Sequence, residues 1–396
     1  MSGKPRLGKL VAFNAVLVVA LLVALNLVAA LILDLSRAWE LNVLPSDKRA
    51  GLPNYPDKQL SRQILGEFNQ LQTRYVPFVE WRRAPYHGKT TTVDADGYRV
   101  MPDATPSPAG TVRFFGGSAM WGTGVPDDQT IPAWFNKLEP QLRVLNHAES
   151  GFSTRQDVAQ LVNLVNQAAP TDVVVFYDGN NDAVTYCRYD VGINGHVHAS
   201  KMARLLRPPS WIWNALTGSL QELLSGKAVR QLLHSGPYAT RCHESPEYAQ
   251  LVAATMVNNW KIAHAIARDA GADFVAILQP VASQGSPRVD HLKPADYSPQ
   301  NEQNIVYPIV RRLLKESGID WAYDFTDIFD GDNDYTYIDV CHVTAGGNKR
   351  IAGRIDTILA PRLRQIAAGR AGRIGVDNAS PAAVAPASPS QGGARR

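Results

Sequence analysis

The sequence predicts an α/β protein built around a parallel sheet, and two observations lead to that fold class. From residue 111 to residue 363, short apolar runs alternate with longer segments whose apolar residues recur at helical spacing. Such alternation is typical of parallel strands that are connected by helices. The run at residues 172–177 consists almost entirely of Val and Phe, as expected of a strand that is buried on both faces.

The predicted elements of this region follow one another in a regular order. Strands are expected at 111–115, 143–147, 172–177, 274–278 and 321–328, and helices at 131–138, 156–167, 248–270, 302–317 and 346–363. Upstream, residues 58–73 have the pattern of an amphipathic helix, residues 90–100 that of a hairpin turning at Asp96-Gly97, and residues 103–110 form a Pro-rich connector. Ligands of parallel sheets bind at the carboxyl ends of the strands.

The N-terminus contains an apolar segment at residues 10–33 without a charged side chain. A helix of this length is long enough to cross a hydrocarbon core of about 30 Å. A cleaved signal peptide is the alternative, but its apolar region usually spans only ~7–15 residues. We therefore predict a membrane anchor. Lys4, Arg6 and Lys9 favour a cytoplasmic N-terminus, which places the remainder of the chain outside, in the periplasm.

The length of 396 residues allows one large domain with appendages. We expect a cytoplasmic N-terminus (1–9), the transmembrane anchor (10–33), a stalk and N-terminal extension (34–110), the main domain (111–368) with an insertion at 183–245, and a disordered tail (369–396). The net charge is +4, of which the residues before the anchor and the tail from residue 370 contribute +3 each, so the remainder carries −2. A nearly neutral body argues against a nucleic-acid partner.

The three cysteines are too few to form a disulfide scaffold. In an oxidising compartment Cys187 and Cys242 could pair across the insertion and leave Cys341 free. Three unpaired, partly buried thiols are the alternative, and the sequence leaves both open.

Two motifs carry residues that are suited to nucleophilic catalysis. Ser118 follows Phe114-Phe115-Gly116-Gly117, where a strand that ends in two glycines can turn sharply and present the next side chain. Taken alone, such a serine is more often a helix N-cap. Asp339-Val340-Cys341-His342 places a carboxylate three residues before an imidazole. His342 could deprotonate Ser118, and Asp339 could hold the imidazole ring. No second His or carboxylate has the spacing of a metal ligand.

Two further segments supply groups that can stabilise an oxyanion. Gly151 follows the second predicted strand, and Asn181 follows the third within Gly179-Asn180-Asn181-Asp182. A backbone N–H and a side-chain amide are typical donors of an oxyanion hole, although each segment on its own is more typical of a turn.

In these four ordered blocks the chain resembles the SGNH/GDSL hydrolase superfamily. The matching residues are Ser118, Gly151, Asn181, and Asp339 with His342. The resemblance implies a three-layer α/β/α flavodoxin-like fold and a Ser118-His342-Asp339 triad. It also implies an oxyanion hole made by Ser118, Gly151 and Asn181, and no cofactor. Gly117 departs from the Asp of the GDSL-named members.

These residues and the anchor together predict a serine-dependent ester hydrolase that acts on acylated carbohydrates of the envelope or exopolysaccharide, or on lipid esters. An O-acyltransferase with the same triad is the alternative, and a non-catalytic carbohydrate-binding or assembly subunit is the competing class. Protein partners are not indicated by the sequence. Trp121, close behind Ser118 in sequence, could line the acyl pocket, and Cys341 is expected to be a packed thiol. In the insertion we expect Trp211 and Trp213 to pack, and the histidines to be solvated, namely His196, His198, His234 and His243.

Overall fold

The computed structural model describes residues 4–42, 47–102, 105, 108–199, 202–203, 217–220 and 240–377. The N-terminal helix α1 runs over Lys4–Asn42. Within it, Gly8–Leu35 has a mean hydropathy of 3.1 and is long and apolar enough to cross a membrane. A signal sequence near an N-terminus can also be long and apolar enough to meet this criterion. The helix therefore agrees with the predicted apolar segment.

The extension after α1 folds into short elements. A 3-10 turn at Lys48–Gly51 is followed by helix α2 (Lys58–Gln70) and by two small antiparallel pairs, β1 (Thr73–Val76) with β2 (Glu80–Arg83) and β3 (Tyr86–His87) with β4 (Thr92–Val93). The expected hairpin turn at Asp96-Gly97 is present as an isolated bridge between Val93 and Arg99. The strand that pairs with β4 lies upstream, because the chain turns back at residues 88–91.

The main sheet has five parallel strands in the spatial order β6-β5-β7-β8-β9. This order, 2-1-3-4-5 within the sheet, is that of flavodoxin-like folds, so the predicted fold class is confirmed. The strands are β5 (Thr111–Gly116), β6 (Arg143–Asn146), β7 (Val173–Asp178), β8 (Asp273–Leu278) and β9 (Ala322–Asp324).

Helices cover both faces of the sheet. In chain order they are α3 (Ser118–Trp121), α4 (Ile131–Leu138), α5 (Thr154–Asn166), α6 (Asn180–Tyr186), α7 (Arg241–Glu244), α8 (Pro246–Asp269), α9 (Gln303–Glu316) and α10 (Ala345–Asp377). Helices α4 and α10 pack together over one core, and α5, α8 and α9 pack over the other. Leu71 and Val93 of the extension belong to the first core, so the extension packs into the α/β domain.

Two predicted boundaries differ from the structure, and the pairing of the cysteines is decided. The last strand ends at Asp324, because its carboxylate accepts a hydrogen bond from the Thr326 N–H and turns the chain out of the sheet. Helix α10 continues past the predicted end to Asp377, while residues 378–396 lie outside the described residues. Cys187 and Cys242 form a disulfide, which decides between the two cysteine predictions, and Cys341 is a free, buried thiol.

Candidate functional site

Ser118 stands at a sharp turn between β5 and α3. Gly116 has a φ of +145°, and a Cβ atom there would lie 2.4 Å from the Tyr177 carbonyl oxygen on the adjacent strand. Only glycine can approach a neighbouring backbone this closely. The turn therefore brings Ser118 to the carboxyl edge of the sheet as the first residue of α3.

Asp339 and His342 reach the same edge from the loop before α10. The Oγ of Ser118 lies 2.7 Å from Nε2 of His342, and both carboxylate oxygens of Asp339 lie 2.8 Å from Nδ1 of His342. Because an ionised carboxylate can only accept, Nδ1 carries the ring proton and Nε2 is left to accept from the serine hydroxyl. The structure thus brings together the three residues predicted to form a triad.

The backbone of the same loop holds the carboxylate of Asp339. Its Oδ1 accepts hydrogen bonds from the N–H groups of Cys341 at 3.1 Å and His342 at 2.9 Å. Burial favours the neutral acid, but His342 and then Arg49 outweigh that effect and hold the pKa of Asp339 well below its usual range. Burial of His342 disfavours the imidazolium, yet the Asp339 carboxylate raises the pKa of His342. An anion in this position stabilises the imidazolium that forms when the ring takes a proton.

Asn181 lies in the first turn of α6, and Gly151 lies in the loop before α5. A Cβ atom on Gly117 would lie 2.3 Å from Nδ2 of Asn181, so this amide covers the turn that leads to the serine. The amide also donates to the Phe152 carbonyl at 2.7 Å, which joins it to the loop of Gly151. Gly151 has a φ of +84°, a conformation that favours glycine. Asn181 therefore adjoins the turn at Ser118, and Gly151 directly precedes Phe152, the residue to which this amide is bonded.

Arg49, which the sequence analysis did not single out, contacts the triad directly. Its Nη1 donates to Oδ2 of Asp339 at 2.7 Å. The two residues are 290 positions apart in the chain, and Arg49 lies in the 3-10 turn of the extension. No local pattern marks such a residue, because its partner is brought near it only by the tertiary fold.

The strand β2 of the extension supports the loop that carries Gly151. Trp81 donates from Nε1 to the Ser150 carbonyl at 3.2 Å. The fully buried Glu149 accepts from the Arg83 N–H at 2.9 Å and from the Ser150 N–H at 2.7 Å. Arg82, 1% exposed, donates to the His147 carbonyl at 2.5 Å. Three residues of this loop are thus bonded to the extension or to a carboxylate that it holds.

Arg99 supports the segment after Ser118 in the same way. It is buried and donates from its guanidinium to the carbonyls of Trp121, Gly122 and Val125 at 3.2, 2.6 and 2.7 Å. Asp127 pairs with its Nε at 2.8 Å. Carbonyls at the end of a one-turn helix lack intrahelical donors, and the arginine supplies them.

The prediction that Trp121 lines the acyl pocket is wrong. The side chain is 1% exposed and packs edge-on to Phe68 and beneath the Arg99 guanidinium. The position three residues after the serine lies on the side of the short helix α3 that faces the core. Cys341 is 3% exposed with its Sγ 3.8 Å from Nδ1 of His342, in agreement with a packed thiol.

Of the insertion histidines predicted to be solvated, His198 is exposed, His243 is half-buried and His196 is buried. His196 is 8% exposed and packs with His198 against Trp81. Nε2 of His243 lies 2.8 Å from the Gln300 carbonyl. The two insertion tryptophans and the remaining histidine fall outside the described residues, namely Trp211, Trp213 and His234.

One group of possible metal ligands occurs among the described residues, and it is the site itself. Ligand atoms of Asp339, Cys341 and His342 lie within 4.8 Å of one another. Both imidazole nitrogens and both carboxylate oxygens in this group already have hydrogen-bond partners within the protein.

Three carboxyl groups lie buried behind the strand ends that carry the site. Asp157 accepts from the Gly116 N–H at 3.2 Å, and Asp178 accepts from Nε1 of Trp260 at 3.0 Å. Burial raises the pKa values of both, and it raises the pKa of Asp182 to about 8. Carboxyl groups so close together in a dry site stay at least partly protonated near neutral pH.

Comparison with known proteins gives matches among solved structures. No family model and no curated protein matches the chain. The chain is similar to a lipolytic protein of the G-D-S-L family from Veillonella parvula, with 12% identity, a TM-score of 0.37, and coverage of 63% of this chain and 98% of that one. It is also similar to Est24, a carbohydrate acetylesterase from Sinorhizobium meliloti, with 13% identity, a TM-score of 0.36, and coverage of 64% and 99%. A lipolytic protein of the G-D-S-L family from Desulfitobacterium hafniense matches with 14% identity, a TM-score of 0.34, and coverage of 64% and 98%.

Proposed function

We propose that the protein is a serine-dependent ester hydrolase. The observation that carries this proposal is the continuous hydrogen-bond relay from Ser118 through His342 to Asp339, with distances of 2.7 and 2.8 Å. A nucleophile, a base in direct contact with it, and a carboxylate that orients the base form the constellation needed for acyl transfer.

In the first half-reaction Nε2 of His342 removes the Ser118 proton as Oγ attacks the ester carbonyl. The resulting oxyanion is bound by the N–H groups of Ser118 and Gly151 and by Nδ2 of Asn181. Each such donor typically contributes about 3–4 kcal/mol to transition-state stabilisation. His342 then passes its proton to the departing alcohol oxygen as the bond to that oxygen breaks, which leaves an acyl-enzyme on Ser118.

In the second half-reaction an acceptor hydroxyl replaces the alcohol. When water is the acceptor, His342 removes its proton, the acyl group leaves as a carboxylic acid, and Ser118 regains its proton. When a sugar hydroxyl is the acceptor, the same steps make a new ester, and the protein is an O-acyltransferase. The two activities share every catalytic residue, so the acceptor distinguishes them.

Two features outside the triad support a periplasmic location of the catalytic domain. Helix α1 is long enough to span a bilayer, and the positive side chains of Lys4 and Lys9 favour a cytoplasmic N-terminus. The Cys187–Cys242 disulfide is typical of an oxidising compartment. Both support a single-pass anchor with the catalytic domain in the periplasm, where O-acylated envelope or exopolysaccharide and membrane lipid esters are the available substrates.

The nucleophile is tested with a fluorophosphonate probe on full-length protein in detergent. We expect labelling of the wild type and none of Ser118→Ala, and equal labelling of the two would exclude Ser118 as the nucleophile. Acetate release from an acetylated polysaccharide, measured beside acetyl transfer to an oligosaccharide acceptor, separates hydrolase from transferase. A wild type that does neither and takes up no probe would favour a carbohydrate-binding subunit.

A further inference from the structure

Arg49 connects the segment after the apolar helix to the triad. It lies seven positions beyond the last residue of α1, Asn42, in the 3-10 turn at Lys48–Gly51. Its Nη1 meets Oδ2 of Asp339 at 2.7 Å, and the side chains of the two residues are 23% and 17% exposed. The contact is therefore largely shielded from solvent, where an ion pair is screened less than on a surface.

Asp47 fixes the orientation of the Arg49 guanidinium that contacts the triad. Nη2 and Nε of Arg49 bind the carboxylate of Asp47 at 2.7 and 3.1 Å, and Asp47 also caps the turn by accepting from the Arg49 N–H at 3.0 Å. Burial lowers the pKa of Arg49, but the two carboxylates outweigh burial and leave its pKa raised. The charged Arg49 guanidinium is thus bound through Nε and Nη2 by Asp47, and its Nη1 is directed at Asp339.

The oxygen that Arg49 binds is the one that the loop backbone leaves free. Oδ1 of Asp339 accepts from two backbone N–H groups, and Oδ2 accepts from Arg49. Nδ1 of His342 is equally far from both oxygens, so the rotation of the carboxylate sets the direction in which the imidazole is held. Hydrogen-bond donors on both oxygens fix the rotation of the Asp339 carboxylate, whereas donors on one oxygen alone leave it free to rotate.

We propose that Arg49 is a positioning residue of the triad, and that the juxtamembrane segment thereby completes the active site. The inference rests on the proposed function, since it assigns Arg49 a role in orienting the base of that reaction. Five peptide units join Asn42 to Asp47, so the end of α1 lies no more than roughly 18 Å from the residue that clamps Arg49. The same short segment thus leads from the apolar helix to the catalytic carboxylate.

Removal of the Arg49 charge has a predictable sign. The cation disfavours a second positive charge on His342, while the two backbone donors keep the carboxylate beside the ring in its absence. The imidazolium becomes easier to form, so the pKa of His342 rises and the acid limb of the pH–rate profile moves to higher pH. The other ionisable groups that face Asp339 and His342 are Asp47, Tyr55, Asp296 and Cys341. The substitution of Arg49 leaves all four in place.

The experiment compares Arg49→Ala, Arg49→Lys and the control Arg74→Ala in full-length protein in detergent, with p-nitrophenyl acetate. Arg74 belongs to the same extension, and its guanidinium donates to the exposed Ala95 carbonyl. For Arg49→Ala we expect a roughly 10–100-fold lower kcat, a KM within about twofold of the wild type, and partial rescue by millimolar methylguanidinium. Lys places one point charge where Arg binds two carboxylates, so the kcat of Arg49→Lys should lie between those of the wild type and Arg49→Ala.

Two kinetic outcomes would overturn the proposal. One is a kcat of Arg49→Ala within twofold of the wild type. The other is a loss of kcat that parallels a lower melting temperature, with an unmoved acid limb and no rescue, which marks a purely structural role. The His342 pKa is also measured by NMR of its imidazole in the wild type and in Arg49→Ala, which needs no turnover. An inactive wild type would refute the proposed function, while an unchanged His342 pKa in Arg49→Ala would refute the role of Arg49.

Discussion

Replacement of Asp339 by asparagine tests the hydrogen-bond logic of the site without changing its shape. Four donors converge on the Asp339 carboxylate: the backbone N–H groups of Cys341 and His342, Nδ1 of His342, and Nη1 of Arg49. An asparagine has one oxygen that accepts and one NH₂ group that only donates. In either orientation of the amide, at least one donor of the protein faces the NH₂ group.

The orientation of the amide decides how catalysis fails. If its oxygen takes the two backbone N–H groups, the NH₂ group faces Arg49 and the ring of His342. Nδ1 must then accept, so Nε2 carries the proton and cannot receive one from Ser118. A wrong tautomer of this kind lowers kcat by about 10³–10⁴-fold, which corresponds to about 4–5.5 kcal/mol at 1.36 kcal/mol per tenfold change.

The assay is the kcat for p-nitrophenyl acetate hydrolysis by full-length Asp339→Asn in detergent, with Ser118→Ala as the baseline and circular dichroism as the check of folding. We expect a folded protein whose activity recovers in part at high pH, where hydroxide replaces the base. A loss of less than tenfold in a folded variant would show that His342 does not need this carboxylate, and the reasoning would be wrong.

Two further predictions concern stability. Burial raises the pKa of Asp182 from 3.8 to about 8, so its contribution to stability is fully present below about pH 3.8 and is lost as pH rises through about 8. Asp182→Asn should therefore weaken the fall of the melting temperature between about pH 4 and pH 8, and an unchanged fall would contradict it. The Cys187–Cys242 disulfide closes a 55-residue separation, for which loop-closure entropy gives about 4 kcal/mol. Cys187→Ser with Cys242→Ser should lower the free energy of unfolding in urea by up to that amount, whereas a loss under about 1 kcal/mol would contradict a loop-closure contribution of this size.

The triad could be predicted because its residues lie in local patterns at strand ends. Gly116-Gly117-Ser118 combines a close backbone approach with an exposed side chain, and the loop of Asp339 and His342 follows the last strand. In a parallel sheet all strands end at one edge, so residues far apart in sequence must meet there. The same rule placed Asn181 beside the turn at Ser118.

The supporting residues could not be predicted because their partners are set by tertiary packing. Arg49 and Trp81 lie in the extension, 290 and 69 positions from the groups they bond. A lone arginine or tryptophan has no periodicity that reveals a distant carboxylate or carbonyl. The interpretation of Trp121 as a pocket residue was wrong for a related reason. A position near Ser118 in the chain does not determine which side of a one-turn helix faces the core.

The most direct test of the catalytic role of Ser118 is to trap the acyl-enzyme. Full-length wild type and Asp339→Asn are mixed with p-nitrophenyl acetate, quenched in acid within the first turnover, and digested for mass spectrometry. We expect an added acetyl group on the peptide that contains Ser118 in the wild type, and little or none in the variant. An acetyl group on another residue, or equal acetylation of Ser118 in both proteins, would contradict a nucleophile activated by His342 and Asp339.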